Sequence, residues 1–131
     1  MKLNYDCMRD VLIELEKNLK IDDRLVFSDL EFDNISKMDS LSKYSNQDIY
    51  YSIYIMDEIG FIDGEIIFAD GGIPHTVSVS NIRYPGHEFL QTIKSDTVWN
   101  TVKSKIKPVT DLSIPIIAEV AKSLIISKLG I

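Results

Sequence analysis

Residues 45–82 read SNQDIYYSIYIMDEIGFIDGEIIFADGGIPHTVSVSNI, and a change of period inside them decides the fold. Ser45 with Asp48 three residues on has the form of a capping box, which starts a helix. Ile49, Ile53 and Met56 then recur at helical spacing, and Gly60 stands where a left-handed glycine ends a helix. Beyond Gly60 the apolar period drops from 3.6 toward 2, so Gly64–Ala69 and Ile73–Ile82 read as strands. Asp70-Gly71-Gly72 between them is a hairpin signal.

Upstream, Met8, Val11, Leu12, Leu15 and Leu19 put one apolar stripe on a helix over residues 4–20, with Asn4 as N-cap. Arg24–Phe27 is β-prone and predicts a brief strand. Residues 28–44 are dense in Asp, Asn and Ser, and only Met38–Tyr44 suggests a short helix. Downstream, residues 86–94 carry Phe89, Leu90 and Ile93 at helical spacing. Ser95 caps a helix running to about Ile106, and Ser113 caps a last helix with Pro115 in its first turn. Helix, short strand, uncertain turn, helix and hairpin follow in the order of a winged helix-turn-helix. The expected fold is therefore α+β, a single domain over residues 1–131. It has a winged-helix core at about 4–83 with a two-stranded wing, and added C-terminal helices at about 85–130.

Composition agrees with one folded domain. The 131 residues are 45% apolar and 26% charged, with 6 Gly and 4 Pro, which excludes a disordered or collagen-like chain. A single Cys7 forms no internal disulfide and suits a reducing, cytoplasmic setting, and the acidic N-terminal stretch is unlike a signal peptide. The net charge of −6 is uneven, −9 over residues 1–70 and +3 over 71–131, so bulk attraction to nucleic acid is absent while local attraction in the second half is allowed.

Several motifs together resemble the YjcQ-like group of small winged-helix proteins of Gram-positive bacteria and their prophages, along with a sister group of unknown function. They are the opening Met1-Lys2-Leu3-Asn4-Tyr5-Asp6 with Arg9-Asp10, then Ile59-Gly60-Phe61-Ile62, Asp70-Gly71-Gly72, Gly86-His87-Glu88-Phe89-Leu90, Val98-Trp99, and Lys128-Leu129-Gly130. The resemblance spans nearly the whole chain. It implies a winged-helix fold and a phage or prophage setting, and it carries no reaction. Ile82-Arg83-Tyr84-Pro85-Gly86 departs from the Leu-Thr that usually precedes the aromatic residue and glycine there. A hydroxyl cap is lost, which leaves the start of the next helix open.

A helix that reads the major groove presents Arg, Lys, Asn and Gln. Residues 45–59 hold no Lys or Arg and three carboxylates, Asp48, Asp57 and Glu58. Asn46 and Gln47 are the candidate base readers on this helix. The candidate phosphate contacts lie later, at Arg83, Lys94, Lys103, Lys105 and Lys107. On the same helix Tyr51, Tyr54 and Ile55 face away from the buried stripe and suit a protein interface. The last helix is apolar over most of its circumference, so Ile117, Val120 and Leu124 are expected in a homodimer contact. Its charges and shortness argue against a membrane span. No catalytic residue set, zinc spacing, calcium loop, glycine-rich phosphate cradle, cofactor site or small-molecule site is read from the sequence. His75 and His87 are twelve apart, and Cys7 is most simply a packing residue. Two non-enzymatic functions follow, a small DNA-associated transcriptional regulator contacting duplex DNA, and a protein-interaction module using the acidic, Tyr-rich helix.

Overall fold

A computed structural model describes residues 1–130. Among them it contains six α-helices and one three-stranded antiparallel sheet, an α+β fold. Contacts gather into two compact units, Met1–His87 and the residues from Glu88 onward.

In the first unit, helix α1 (Tyr5–Asn18) opens on Asn4, whose side chain accepts the Cys7 N–H at 3.1 Å. Met8, Val11, Leu12 and Leu15 are buried as their spacing predicts, and Leu19 is half-buried at the C-cap. The strand expected at Arg24–Phe27 shrinks to a single antiparallel bridge of Phe27 with Ile21. Asp22 Oδ1 accepts the N–H groups of Arg24 and Val26 at 2.8 and 3.1 Å, and Leu25 turns through φ +67°. The carboxylate closes a tight turn across these residues and leaves room for no longer ladder. Strand β1 falls instead at Leu30–Glu31, directly before the short helix α2 (Phe32–Ser36). The helix expected over Met38–Tyr44 is reduced to one 3₁₀ turn, Asp39–Leu41. Ile35 and Leu41 anchor this polar stretch in the core.

Helix α3 (Asn46–Glu58) starts on Ser45, whose hydroxyl accepts the Asp48 N–H at 3.1 Å. The expected capping box is only half made, because the Asp48 carboxylate takes the Asn4 side-chain amide at 3.2 Å and so ties α3 to α1. Ile49, Ser52, Ile53 and Met56 are buried. Gly60 (φ +79°) ends the helix in a Schellman turn, with Gly60 N–H to Asp57 O at 3.2 Å and Phe61 N–H to Met56 O at 2.8 Å.

Strands β2 (Ile62–Phe68) and β3 (Pro74–Ile82) pair antiparallel from Ile62↔Ile82 to Phe68↔Pro74. The turn uses Gly71 and Gly72 at positive φ and closes with Ala69 N–H to Ile73 O at 2.7 Å. The expected two-stranded wing is incomplete. β1 adds to the other side of β3 through Leu30↔Val79 and Glu31↔Ser78, giving the order β1-β3-β2. A ladder irregularity at Asp63/Gly64 lets Gly64 N–H reach Asp57 Oδ1 at 2.9 Å, which locks β2 to α3.

Helix α4 (Tyr84–Ile93) begins two residues before the expected Gly86, with Pro85 in its first turn, where no N–H is needed. From Glu88 on lie the rest of α4, helix α5 (Asp96–Ile106) and helix α6 (Ile114–Lys128). Ser95 caps α5 by accepting the Val98 N–H at 3.4 Å, and Val98, Trp99, Val102 and Ile106 are buried. α6 packs on α5 and buries Ile117 and Ala121. Ser113 stands at the α6 N-cap, but its hydroxyl makes no capping bond, so only the expected Pro115 in the first turn supports that start.

Candidate functional site: a groove between the third helix and the sheet

The outward side of α3 is aromatic. Tyr51 and Tyr54 stack with ring centroids 6.4 Å apart, Tyr54 also lies 6.3 Å from Tyr50, and Tyr50 meets Phe32 of α2 edge-on at 6.5 Å. Tyr54 is 42% exposed, while Tyr51 and Ile55 are half-buried. Asn46 and Gln47 are exposed in the first turn. The strip is therefore continuous from α2 to the middle of α3. The sequence flagged Tyr51 and Tyr54, but Phe32 joined them only once the polar stretch 28–44 had folded against α3.

Beside this strip a groove of about 540 Å³ opens between the start of α3 and β3. Asn46, Gln47 and Tyr50 form one wall, residues 74–77 the other, and Glu31, Phe32 and Asp33 close one end. Its volume falls within the usual range of ligand sites. Glu31 and Asp33 are exposed, and neither makes an ion pair among the described residues. The lining contains no Lys or Arg. His75 is exposed with Nδ1 3.1 Å from Thr76 Oγ1. Sequence reasoning missed Glu31, Asp33 and the β3 wall, because β1 and β3 are brought side by side only by sheet pairing.

The expected basic cluster does not assemble at this groove. Arg83 lies on the first unit, 3.6 Å from the Asp63 carboxylate, and its charge is directed there. Lys94, Lys103, Lys105 and Lys107 belong to the second unit, and Lys103 sits 5.6 Å over the Trp99 ring. Lys43, which follows the 3₁₀ turn, pairs with Asp10 at 3.4 Å. The Met1–His87 unit carries sixteen acidic and eight basic side chains, a net −8.

Of the residues expected at a dimer contact, Ile117 is fully buried, so it is a core residue and offers no surface. The i+3 and i+7 neighbours Val120 and Leu124 are half-buried, and the exposed apolar side chains of α6 and its end are Ile116, Ile126 and Leu129. Ile117 and Ala121 form the buried stripe of α6, which packs on α5.

A polar node ties α1 to α3 and to the turn before it. The Tyr44 hydroxyl donates to Asp10 Oδ2 at 2.6 Å, and Asp10 lies 3.7 Å from the nearly buried Arg9. Burial first, then the Asp10 bond and charge, push the Tyr44 phenol above its ordinary pKa of 10.0. Cys7 is fully buried, and burial, opposed by a hydrogen bond with Ser52 and reinforced by Asp48 and Asp10, raises its thiol from 9.0 to about 11. A thiol held protonated and out of solvent is no nucleophile at neutral pH. No group of three His, Cys, Asp or Glu side chains is placed to hold a metal among the described residues. Nor is any described helix long and apolar enough to cross a membrane.

The model of the family described as "Hypothetical protein (DUF2513)" matches residues 2–111, which include all of the groove. The chain belongs to the DUF2513 family. A protein of Haemophilus influenzae, named "Uncharacterized protein", is 28% identical over 131 residues, covering 99% of this chain and 100% of that one. No solved structure matches the chain. In this DUF2513 member the groove and the charges around it are the features that bear on function.

Proposed function

We propose that the Met1–His87 unit is a winged helix that holds another protein through the α3 face and its groove. The order α1-β1-α2-α3-β2-β3 with a three-stranded sheet supports the winged-helix reading, and so does the resemblance to the YjcQ-like group. In this reading the protein is non-enzymatic, cytoplasmic and of prophage type, and it self-associates through α6. One observation carries the choice of a protein over DNA. Helix α3 has no cation, its exposed first turn offers only Asn46 and Gln47, and the acids Glu31 and Asp33 stand beside it with Asp70 at the hairpin tip. Phosphate neutralisation supplies nearly all non-specific DNA affinity, and this surface has no group to do it.

The test is a mobility shift with random duplex at low salt. No shift is expected from this surface, and duplex-induced NMR shifts at Asn46 and Gln47 would overturn the reading. A small DNA-associated regulator remains the second reading, supported by Lys94, Lys103, Lys105 and Lys107 on the second unit. It requires a steeply salt-dependent shift that Lys103→Glu with Lys105→Glu removes.

A further inference from the structure

The β3 wall of the groove is an open sheet edge. β1 meets β3 only at Leu30↔Val79 and Glu31↔Ser78, after which the ladder stops at Phe32, where the chain turns into α2 and stays packed beside β3 as a helix. β3 extends back to Pro74, so on the β1 side residues 74–77 have no strand partner among the described residues. Alternate residues of a strand direct both N–H and C=O to one edge, so at least one of residues 75–77 offers a complete donor and acceptor pair to the groove. The edge is about 13 Å long, the length of four extended residues. Most exposed edges are blunted by charge or proline on the strand, and here only Pro74, at the far end, does so.

We propose that the groove takes an extended Lys- or Arg-bearing segment of a partner protein, which pairs with β3 as a short strand in line with β1. The inference rests on the protein-binding reading above and names the partner's chemistry. Charge selects that chemistry. Glu31 and Asp33 stand at the groove end without ion-pair partners, the lining has no cation, and the surrounding unit is strongly acidic. A basic segment is attracted there, and an acidic strand or a nucleic-acid backbone is repelled. Main-chain pairing supplies affinity, while Phe32 and Tyr50 offer ring faces to the stems and heads of Lys or Arg.

The probe is an acetylated, amidated peptide of about eight residues alternating Lys with Val and Thr, long enough to span the edge. It is titrated into the full-length ¹⁵N-labelled chain. Saturable shifts over His75, Thr76 and Val77 are expected, with slowed exchange at those of their amides that face the open edge. Glu31→Gln combined with Asp33→Asn should weaken binding about fivefold, as two exposed pairs would. A peptide of equal charge with proline at alternate positions, lacking N–H donors, should lose the slowed exchange and most of the affinity. Equal binding by that peptide, equal binding by one with Glu for Lys, shifts mapping elsewhere, or no saturation would each overturn the strand-pairing inference. A run with duplex DNA separates the two levels. Duplex shifts on α3 overturn the protein-binding reading itself, whereas silence from both ligands overturns the strand pairing alone.

Discussion

Two acids that are weak in solution become weaker inside this protein. The Cys7 thiol rises from 9.0 to about 11, and the Tyr44 phenol rises above 10.0, both chiefly through burial. Since each folded value lies above the unfolded one, the unfolded chain releases its protons first as pH rises. The stability these groups contribute is therefore complete below pH 9 and declines as pH passes from 9.0 toward about 11 for Cys7, and from 10.0 upward for Tyr44. Urea midpoints measured across that window should fall, and Cys7→Ala with Tyr44→Phe should flatten the fall. At neutral pH, Tyr44→Phe alone should cost about 1.5–3 kcal/mol, since it removes one hydrogen bond to a carboxylate. A slope unchanged in the double variant would refute this account. Cys7 was legible as a packing residue from its helical position, but its coupling to Tyr44 was not. Asp10, which the two residues share, reaches Tyr44 across thirty-four positions of sequence.

At the scale of elements, the junction of β3 with α4 depends on one small residue. Arg83 N–H donates to Phe61 O at 2.8 Å, and a Cβ on Gly86 would stand 2.3 Å from that same oxygen. The first turn of α4 therefore lies directly on the carbonyl that follows the Schellman turn of α3. Gly86→Ala must push backbone away from backbone, and it should cost roughly 1–3 kcal/mol of unfolding free energy in chemical denaturation, with little change in helix content by circular dichroism. Wild-type stability in this variant would mean that the turn moves freely. Caps and periods made most elements readable: Asn4, Ser45, Gly60 and Ser95 all act at the ends where they were expected. The failures share a cause. In both, a carboxylate redirects the local pattern: Asp22 takes the nearby Arg24 and Val26 N–H groups and turns the chain, while Asp48 takes the Asn4 amide forty-four positions away, a choice that depends on what folding brings within reach.

For the whole molecule, the open question of association sits on α6. Ile126 and Leu129 are 47% and 67% exposed, and Ile116 is also exposed, while Ile117 on the opposite stripe is sealed. If these side chains meet a second copy, as proposed, light scattering should report a dimer at high micromolar concentration. Ile126→Lys with Leu129→Lys should then give a monomer of unchanged denaturation midpoint, because neither residue is in the core. A wild-type monomer at that concentration removes the self-association proposal, and it leaves the groove on the first unit untouched.

Alone, the amino-acid sequence determined the five longer helices α1, α3, α4, α5 and α6, where the hairpin turns, that α3 has no cation, and that negative charge gathers in the first seventy residues. These follow from local period, capping chemistry and counting, all of which act within a few positions of the chain. Only tertiary structure decided that Leu30–Glu31 would be the third strand, that Phe32 would extend the tyrosine strip, and that β3 would be left with an open edge facing two exposed carboxylates. Each of those depends on surfaces distant in sequence coming together, and nothing in the local pattern records how far β1 runs along β3 before the chain leaves it.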